Sequence, residues 1–490
     1  MLNVPPIEVL RTSAPKDGCA EHGKVGLTTI RKGEKEKMKE KLTVKQYLLV
    51  STLLFGMFFG AGNLIVPPMT GKMAGSNVWL TMVFFCVTAV VLPVMGVIAV
   101  AKSGGLKNLA ARVDSKFAAV FTAAIYLSIG PALGIPRAGS VPFEMAIKPY
   151  LPAALTNLSG LSARLPLLIY TLIFFGVAYW LSLTPSKLVE RMGKVITPAL
   201  LILMTVLFIV SLAKGMPQLG QPLSEDYSAH PSLTGFIDGY MTMDTIAALN
   251  FGLVVSMVIQ GLQIKDEKKM VSTTIKAGTL SGVLLAVIYF LLAYLGASSA
   301  SMFADTENGA QILGRVSMHL LGTSGTLLQG AIFTLACLTT CVGLITSSGK
   351  YFTTLSTKLS YKSWVTIWTV LSFIFANIGL NAILSYNVTL LFVLYPVSIV
   401  LILLALTNRF VESNPLIYRA TIYTTLIISA VESLDKVLGV KLPVLQSVFS
   451  RLPLYDRQLS WVLPAVIVLT ITFTLKLAGV GSRVREQERL

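Results

Sequence analysis

The chain has 490 residues, of which 54% are hydrophobic and only 13% charged, and its mean hydropathy is +0.73. A soluble domain of this length does not carry so much apolar surface, so the composition excludes one and points to an all-α polytopic membrane protein surrounded by a lipid bilayer. The net charge of +17 is then expected to reflect membrane topology, and no nucleic-acid partner is expected.

Residues 1–44 are polar and highly charged. No short apolar core and small-residue cleavage site follow the charges, so the stretch reads as a largely disordered cytoplasmic tail rather than a cleaved signal sequence. Beyond it lie apolar stretches of about the 20 residues that a bilayer core requires. They fall at 46–72, 77–101, 117–143, 165–185, 192–213, 238–264, 274–297, 324–349, 363–379, 382–406, 418–433 and 460–478, about twelve spans. A transmembrane domain over 45–478 and a cytoplasmic C-terminal tail over 479–490 are expected from this division.

With the N-terminus inside, 30 of the 40 basic residues fall on the cytoplasmic side, so both termini are expected there. Cys86, Cys337 and Cys341 lie in apolar segments and Cys19 in the charged tail, a pattern with no disulfide framework. His22, His230 and His319 stand in separate segments. No metal centre or catalytic triad is visible, and an enzyme is not expected.

The first span is written to fail as a continuous helix. Over residues 51–71, Gly56, Gly60 and Gly62 remove side chains, Asn63 places an amide at membrane depth, and Pro67 and Pro68 remove two amide donors. Unwound backbone is tolerated in hydrocarbon only where it lines a cavity or meets a ligand. In secondary transporters, one half-helix N-terminus then faces an anionic substrate group and freed carbonyls hold a cation. The competing reading is a Gly-rich packing face.

Pro198 in span 5 and Pro396 in span 10 are matched in sequence surroundings, and Asn63 and Asn250 are separated by a comparable offset. This suggests two five-span repeats, about 45–213 and 235–406, followed by two extra helices over about 418–478. An odd number of spans per repeat makes the halves inverted. Span 6, with Tyr240, Asp244 and Asn250, is the counterpart of span 1 and a candidate second break. Asp244 is either an intramembrane carboxylate with a function or a helix cap near the outer interface.

Span 8 carries Ala336, Thr339 and Thr340. A membrane threonine ordinarily bonds back to its own helix. At 1.5 Å per residue, however, Thr340 is about 15 Å deep from Lys350 and Gly56 about 16 Å deep from Lys45, near the centre of a roughly 30 Å core. Two hydroxyls facing freed carbonyls at one depth suit a monovalent cation.

The segment GMFFGAGNLIVPP, together with residues 129–137 (IGPALGIPR) and 239–244 (GYMTMD), resembles the branched-chain amino acid:cation symporter family over about residues 45–478. That resemblance implies a bacterial inner-membrane carrier of leucine, isoleucine and valine with a leucine-transporter-like fold, two inverted five-helix repeats and broken helices 1 and 6. It implies sodium as the coupling ion, with no other cofactor, held by Gly56 and Phe59 in span 1 and by Ala336, Thr339 and Thr340 in span 8. Gly60, Ala61, Gly62 and Asn63 would meet the substrate carboxylate, and the Asn63 side chain could serve a second sodium. Tyr126 would close over the substrate by its span position alone. Asp244 and Asn250 complete the candidate substrate residues, Asp244 without a counterpart in the fold.

Alternating access about a midplane site would carry a zwitterion with an apolar tail, provided that the ion favours the substrate-competent state. A proton-coupled carrier of the same fold, using Lys194 or Asp244, and a carrier of another small apolar solute remain open alternatives. A channel would show charged rings or a filter repeat, and neither is present.

Overall fold

The computed structural model describes residues 42–152, 164–264, 266–356, 358–378, 380–436 and 447–478. Of the tails expected over 1–44 and 479–490, residues 1–41 and 479–490 lie outside the described residues, and Val44 already begins the first helix. Every regular element among those described is helical.

Helices occupy each expected stretch. The first span is split into α1 (Val44–Phe58) and α2 (Ala61–Ala74), and the second comprises α3 (Val78–Cys86) and α4 (Leu92–Lys102), joined by a π-helical turn at Val87–Val91. The third is α5 (Ser115–Leu127) and α6 (Gly134–Pro142), the fourth α7 (Leu165–Ser182) and the fifth α8 (Thr197–Lys214). The sixth is split into α9 (Pro231–Tyr240) and α10 (Asp244–Gly261), and the seventh is α11 (Glu267–Ser299). After α12 (Gly309–Leu321) come α13 (Thr323–Leu355), α14 (Tyr361–Ala376), α15 (Leu380–Leu406), α16 (Pro415–Lys436) and α17 (Val462–Leu477). By length and apolar composition, seven of the described helical stretches can cross a bilayer, and α1, α17 and the second half of α15 are shorter apolar helices. Arg419, Glu432 and Asp435 lie within α16, which dilutes its apolar character.

The helix surfaces distinguish lipid from core. On α7, Ile169, Leu172, Ile173 and Trp180 are exposed, whereas Thr171, Phe174, Phe175 and Ala178 are buried. Water would penalise such an apolar stripe, and hydrocarbon does not.

The first break occurs at Phe59 and Gly60. Gly60 adopts an extended conformation, φ −119° and ψ −157°, and its amide donates to Asn63 Oδ1 at 2.9 Å, so the side chain of the new helix closes the interruption. The prolines do not end α2, which continues through Pro67 and Pro68 to Ala74. Glycine instead brings this half-helix against its neighbours. A Cβ on Gly71 would strike the Ala293 carbonyl, one on Gly296 the Pro68 carbonyl, and one on Gly309 the Ile65 carbonyl. Small residues therefore serve close packing here as well, with Gly71 packing against α11 beyond the break at Gly60.

The second break lies between α9 and α10, where Met243 takes a left-handed conformation at φ 66° and the Thr242 hydroxyl donates to the Gly239 carbonyl at 2.8 Å. A third interruption was not expected. Span 3, read as continuous, has non-helical backbone at Gly130 (ψ −118°) beside Pro131 and resumes as α6 at Gly134. Proline supplies no amide donor and clashes with the preceding turn, which accounts for the offset.

Candidate functional site

The three interruptions border one cavity of about 50 Å³, lined by Gly60, Ala61, Gly62 and Asn63 from the first break and by Thr242, Met243 and Asp244 from the second. The third contributes Ile129, Gly134 and Arg137, and α13 contributes Thr340 and Leu344. Phe58, Ala138 and Ala247 extend the apolar part of the wall. A few polar groups set among apolar ones suit a compact amphiphilic ligand.

Asn63 and Asp244 join the breaks. Both are buried, and Asn63 Nδ2 donates to Asp244 Oδ2 at 2.6 Å and to the Tyr289 hydroxyl. Tyr289, on α11, donates in turn to Asp244 Oδ2 at 3.0 Å. With Gly60 N on its oxygen, Asn63 has three of its hydrogen-bonding positions filled. The interfacial-cap alternative for Asp244 is thereby replaced by an interhelical role: the residue begins α10 and binds two side chains from other helices.

The two threonines of α13 differ. Thr340 lines the cavity and its hydroxyl reaches toward the Gly56 carbonyl at 3.5 Å, the outer limit of a hydrogen bond. The Thr339 hydroxyl donates back to the Ala336 carbonyl at 2.8 Å and to the Leu335 carbonyl at 3.2 Å. Thr197 Oγ1 is buried, without a hydrogen-bond partner among the described residues, and so close to Gly56 that a Cβ there would strike it. Phe59 continues the ring stack of Phe55 toward Tyr289, with centroids 5.1 Å and 6.3 Å apart.

Two expected substrate residues lie elsewhere. Tyr126 is buried against Tyr351, with ring centroids 4.1 Å apart and planes within 4°, and does not line the cavity. Asn250, two turns along α10 from Asp244, accepts a hydrogen bond from Ser347 Oγ. Lys194 is exposed and outside the cavity. Arg137 is the main residue that the sequence reading missed: it served only as part of a motif and as one of the outer basic residues. A formal charge inside an apolar span was the available signal.

A family model described as Branched-chain amino acid transport protein matches residues 43–478. The chain is 40% identical to the branched-chain amino acid permease BraB of Bacillus subtilis, over 90% of this chain and 97% of that protein. It is 38% identical to the branched-chain amino acid transport system 2 carrier protein of Pseudomonas aeruginosa, over 86% of this chain and 94% of that one. Among solved structures it is similar to Mhp1, a nucleobase-cation-symport-1 family transporter, in a closed conformation with bromovinylhydantoin bound. The TM-score is 0.56 at 14% identity, covering 89% of this chain and 93% of that chain. An inward-facing conformation of Mhp1 gives a TM-score of 0.53 at 12% identity, over 90% and 94% of the two chains. At such identities the structural likeness bears on fold alone, whereas the family model and the permeases match nearly the whole chain in sequence. The chain belongs to the branched-chain amino acid transport protein family, with the all-α, leucine-transporter-like fold that its resemblance to that family implied.

Proposed function

We propose that the protein is a secondary active transporter that imports leucine, isoleucine and valine across a bacterial inner membrane by symport with a cation, sodium, through alternating access. The observation that carries this reading is the meeting of two broken helices at one cavity, joined by the Asn63–Asp244 hydrogen bond. Breaks of this kind bind charged groups with backbone dipoles, and the apolar wall of Phe58, Ile129 and Leu344 suits an aliphatic side chain.

Sodium would be carried as a co-substrate by Gly56, Phe59, Ala336, Thr339 and Thr340. The buried Thr197 hydroxyl, without a hydrogen-bond partner among the described residues, and the long Thr340–Gly56 contact supply the oxygens that support this reading. Gly60, Ala61, Gly62, Asn63 and Asp244 would hold the amino acid, while Tyr126 and Asn250 would act only through neighbouring side chains. The domain over 45–478 would be organised as repeats of about 45–213 and 235–406 with two further helices, both termini being cytoplasmic.

Proton coupling through Asp244 is the second reading, favoured by one observation: a carboxylate, rather than a neutral residue, links the breaks. Radiolabelled leucine uptake into proteoliposomes with imposed gradients separates the two. Accumulation driven by a sodium gradient at equal pH supports sodium symport, accumulation driven only by a proton gradient favours Asp244 as carrier, and no accumulation of any branched-chain amino acid overturns the proposal.

A further inference from the structure

Among the described residues lining the central cavity, Arg137 and Asp244 are the only ionisable ones, one basic and one acidic. They do not form an ion pair with each other. Asp244 is balanced by neutral donors, Asn63 and Tyr289. Arg137 is less satisfied. A guanidinium offers five N–H donors, and among the described residues its one hydrogen-bond partner is the thioether of Met243, at 3.5 Å from Nη1. Its other terminal nitrogen faces the opposite wall of the break, 3.4 Å from where a Cβ on Gly62 would stand. A charge with unspent donors at membrane depth is costly, and a guanidinium has the geometry to take a carboxylate through two parallel hydrogen bonds.

From this arrangement we infer that Arg137 binds the substrate carboxylate and Asp244 the substrate ammonium, so that the cavity selects α-amino acids by completing a split ion pair. The inference rests on the transport reading above and adds a residue and a specificity rule to it. A zwitterion supplies each of these two groups with the opposite charge, whereas a neutral aliphatic solute supplies neither. An amine without a carboxylate leaves Arg137 unmatched, and a carboxylate without an amine leaves Asp244 facing another anion. Closure of the carrier around an unmatched buried charge is penalised, which makes the whole zwitterion, rather than the aliphatic tail alone, the object recognised.

The test is competition against radiolabelled leucine uptake in proteoliposomes of the full chain, using leucinamide, which lacks the carboxylate, and 4-methylpentanoate, which lacks the ammonium. In the wild type each analogue is expected to compete about 10- to 100-fold more weakly than leucine. In Arg137→Gln, leucine affinity should fall by a similar factor while leucinamide is little affected, so that their ratio collapses toward one; Arg137→Lys should restore part of it. The ratio is measured within the active fraction of protein and is insensitive to loss of yield. Should Arg137→Gln fail to fold, the wild-type analogue series and Arg137→Lys decide. Leucinamide competing as well as leucine in the wild type, or an unchanged ratio in Arg137→Gln, overturns the assignment while leaving the transporter reading intact. A wild type that takes up no branched-chain amino acid overturns both.

Discussion

Asn63 donates to the Asp244 carboxylate at 2.6 Å across 181 positions of sequence, so the first helix break is held to the second by a side chain of one and a charge of the other. Tyr289 closes a triangle with both residues, and this pins the pair to the long helix α11.

The first prediction concerns that link. Asn63→Ala removes a donor from a buried carboxylate and the acceptor that closes the Gly60 break. A hydrogen bond to a charged group contributes about 1.5–3 kcal/mol. Leucine uptake should fall at least about 10-fold with the protein still present in the membrane. Uptake close to wild type would reduce the break to a packing feature.

Thr340 and Thr339 should separate in their sodium dependence. Thr340→Val removes an oxygen that faces the Gly56 carbonyl across the helix interface, and at about 1.5–3 kcal/mol it should raise the sodium concentration for half-maximal uptake about 10- to 150-fold. Linkage then requires leucine affinity to recover in part at saturating sodium. Thr339→Val should act more weakly, because its hydroxyl is already spent on the Ala336 carbonyl. Unchanged sodium dependence in both variants, with uptake intact, would leave proton coupling as the better account.

Topology makes a third prediction. The basic bias predicts that residues 265–269 lie in the cytoplasm. Cysteines introduced there in a background lacking the native ones should react with a membrane-impermeant reagent only after permeabilisation. Labelling in intact cells would reverse the orientation.

At the start of α5, Asp114 accepts from the Phe117 amide at 2.8 Å and from the Tyr423 hydroxyl at 2.5 Å, which ties the third span to α16. The Phe117 hydrogen bond first, and the Tyr423 one second, hold this carboxyl below its ordinary range. A depressed folded-state pKa gives stability that is full above the unfolded value and lost as pH falls through the folded one. Asp114→Ala should therefore cost about 0.5–2 kcal/mol at neutral pH. That deficit should be unchanged down to pH about 5 and shrink only below about 3.9. Thermal unfolding of both proteins over this range checks it, and a deficit that vanishes already at pH 6 would contradict the assignment.

How much of this could be read from the chain differs from residue to residue. The break at Gly60 was legible because glycine, asparagine and depth all act locally, within a few positions. Asp244 stood out as a charge in an apolar run, yet its partners did not, since no local pattern specifies that Asn63 and Tyr289 will meet it. Tyr126 illustrates the opposite case. Its place along a span is a sequence property, whereas the face it presents depends on the kink at Gly130 and Pro131, and its ring stacks on Tyr351 instead of reaching the cavity. The same kink turns Arg137 inward. Counting it with the outer charges treated span 3 as a straight rod.

The contacts of Gly71 with Ala293, Gly296 with Pro68 and Gly309 with Ile65 leave α2 no side-chain cushion on which to slide against α11 and the start of α12. Lys72 adds a clasp, its ammonium donating to the carbonyls of Phe303, Ala304 and Thr306 at 2.7–3.2 Å. The second half of the first span is thus fixed to its neighbours by direct backbone contact. Spin labels on α2 and α11 should therefore keep one separation with and without leucine, and a change in it would show that this packing gives way.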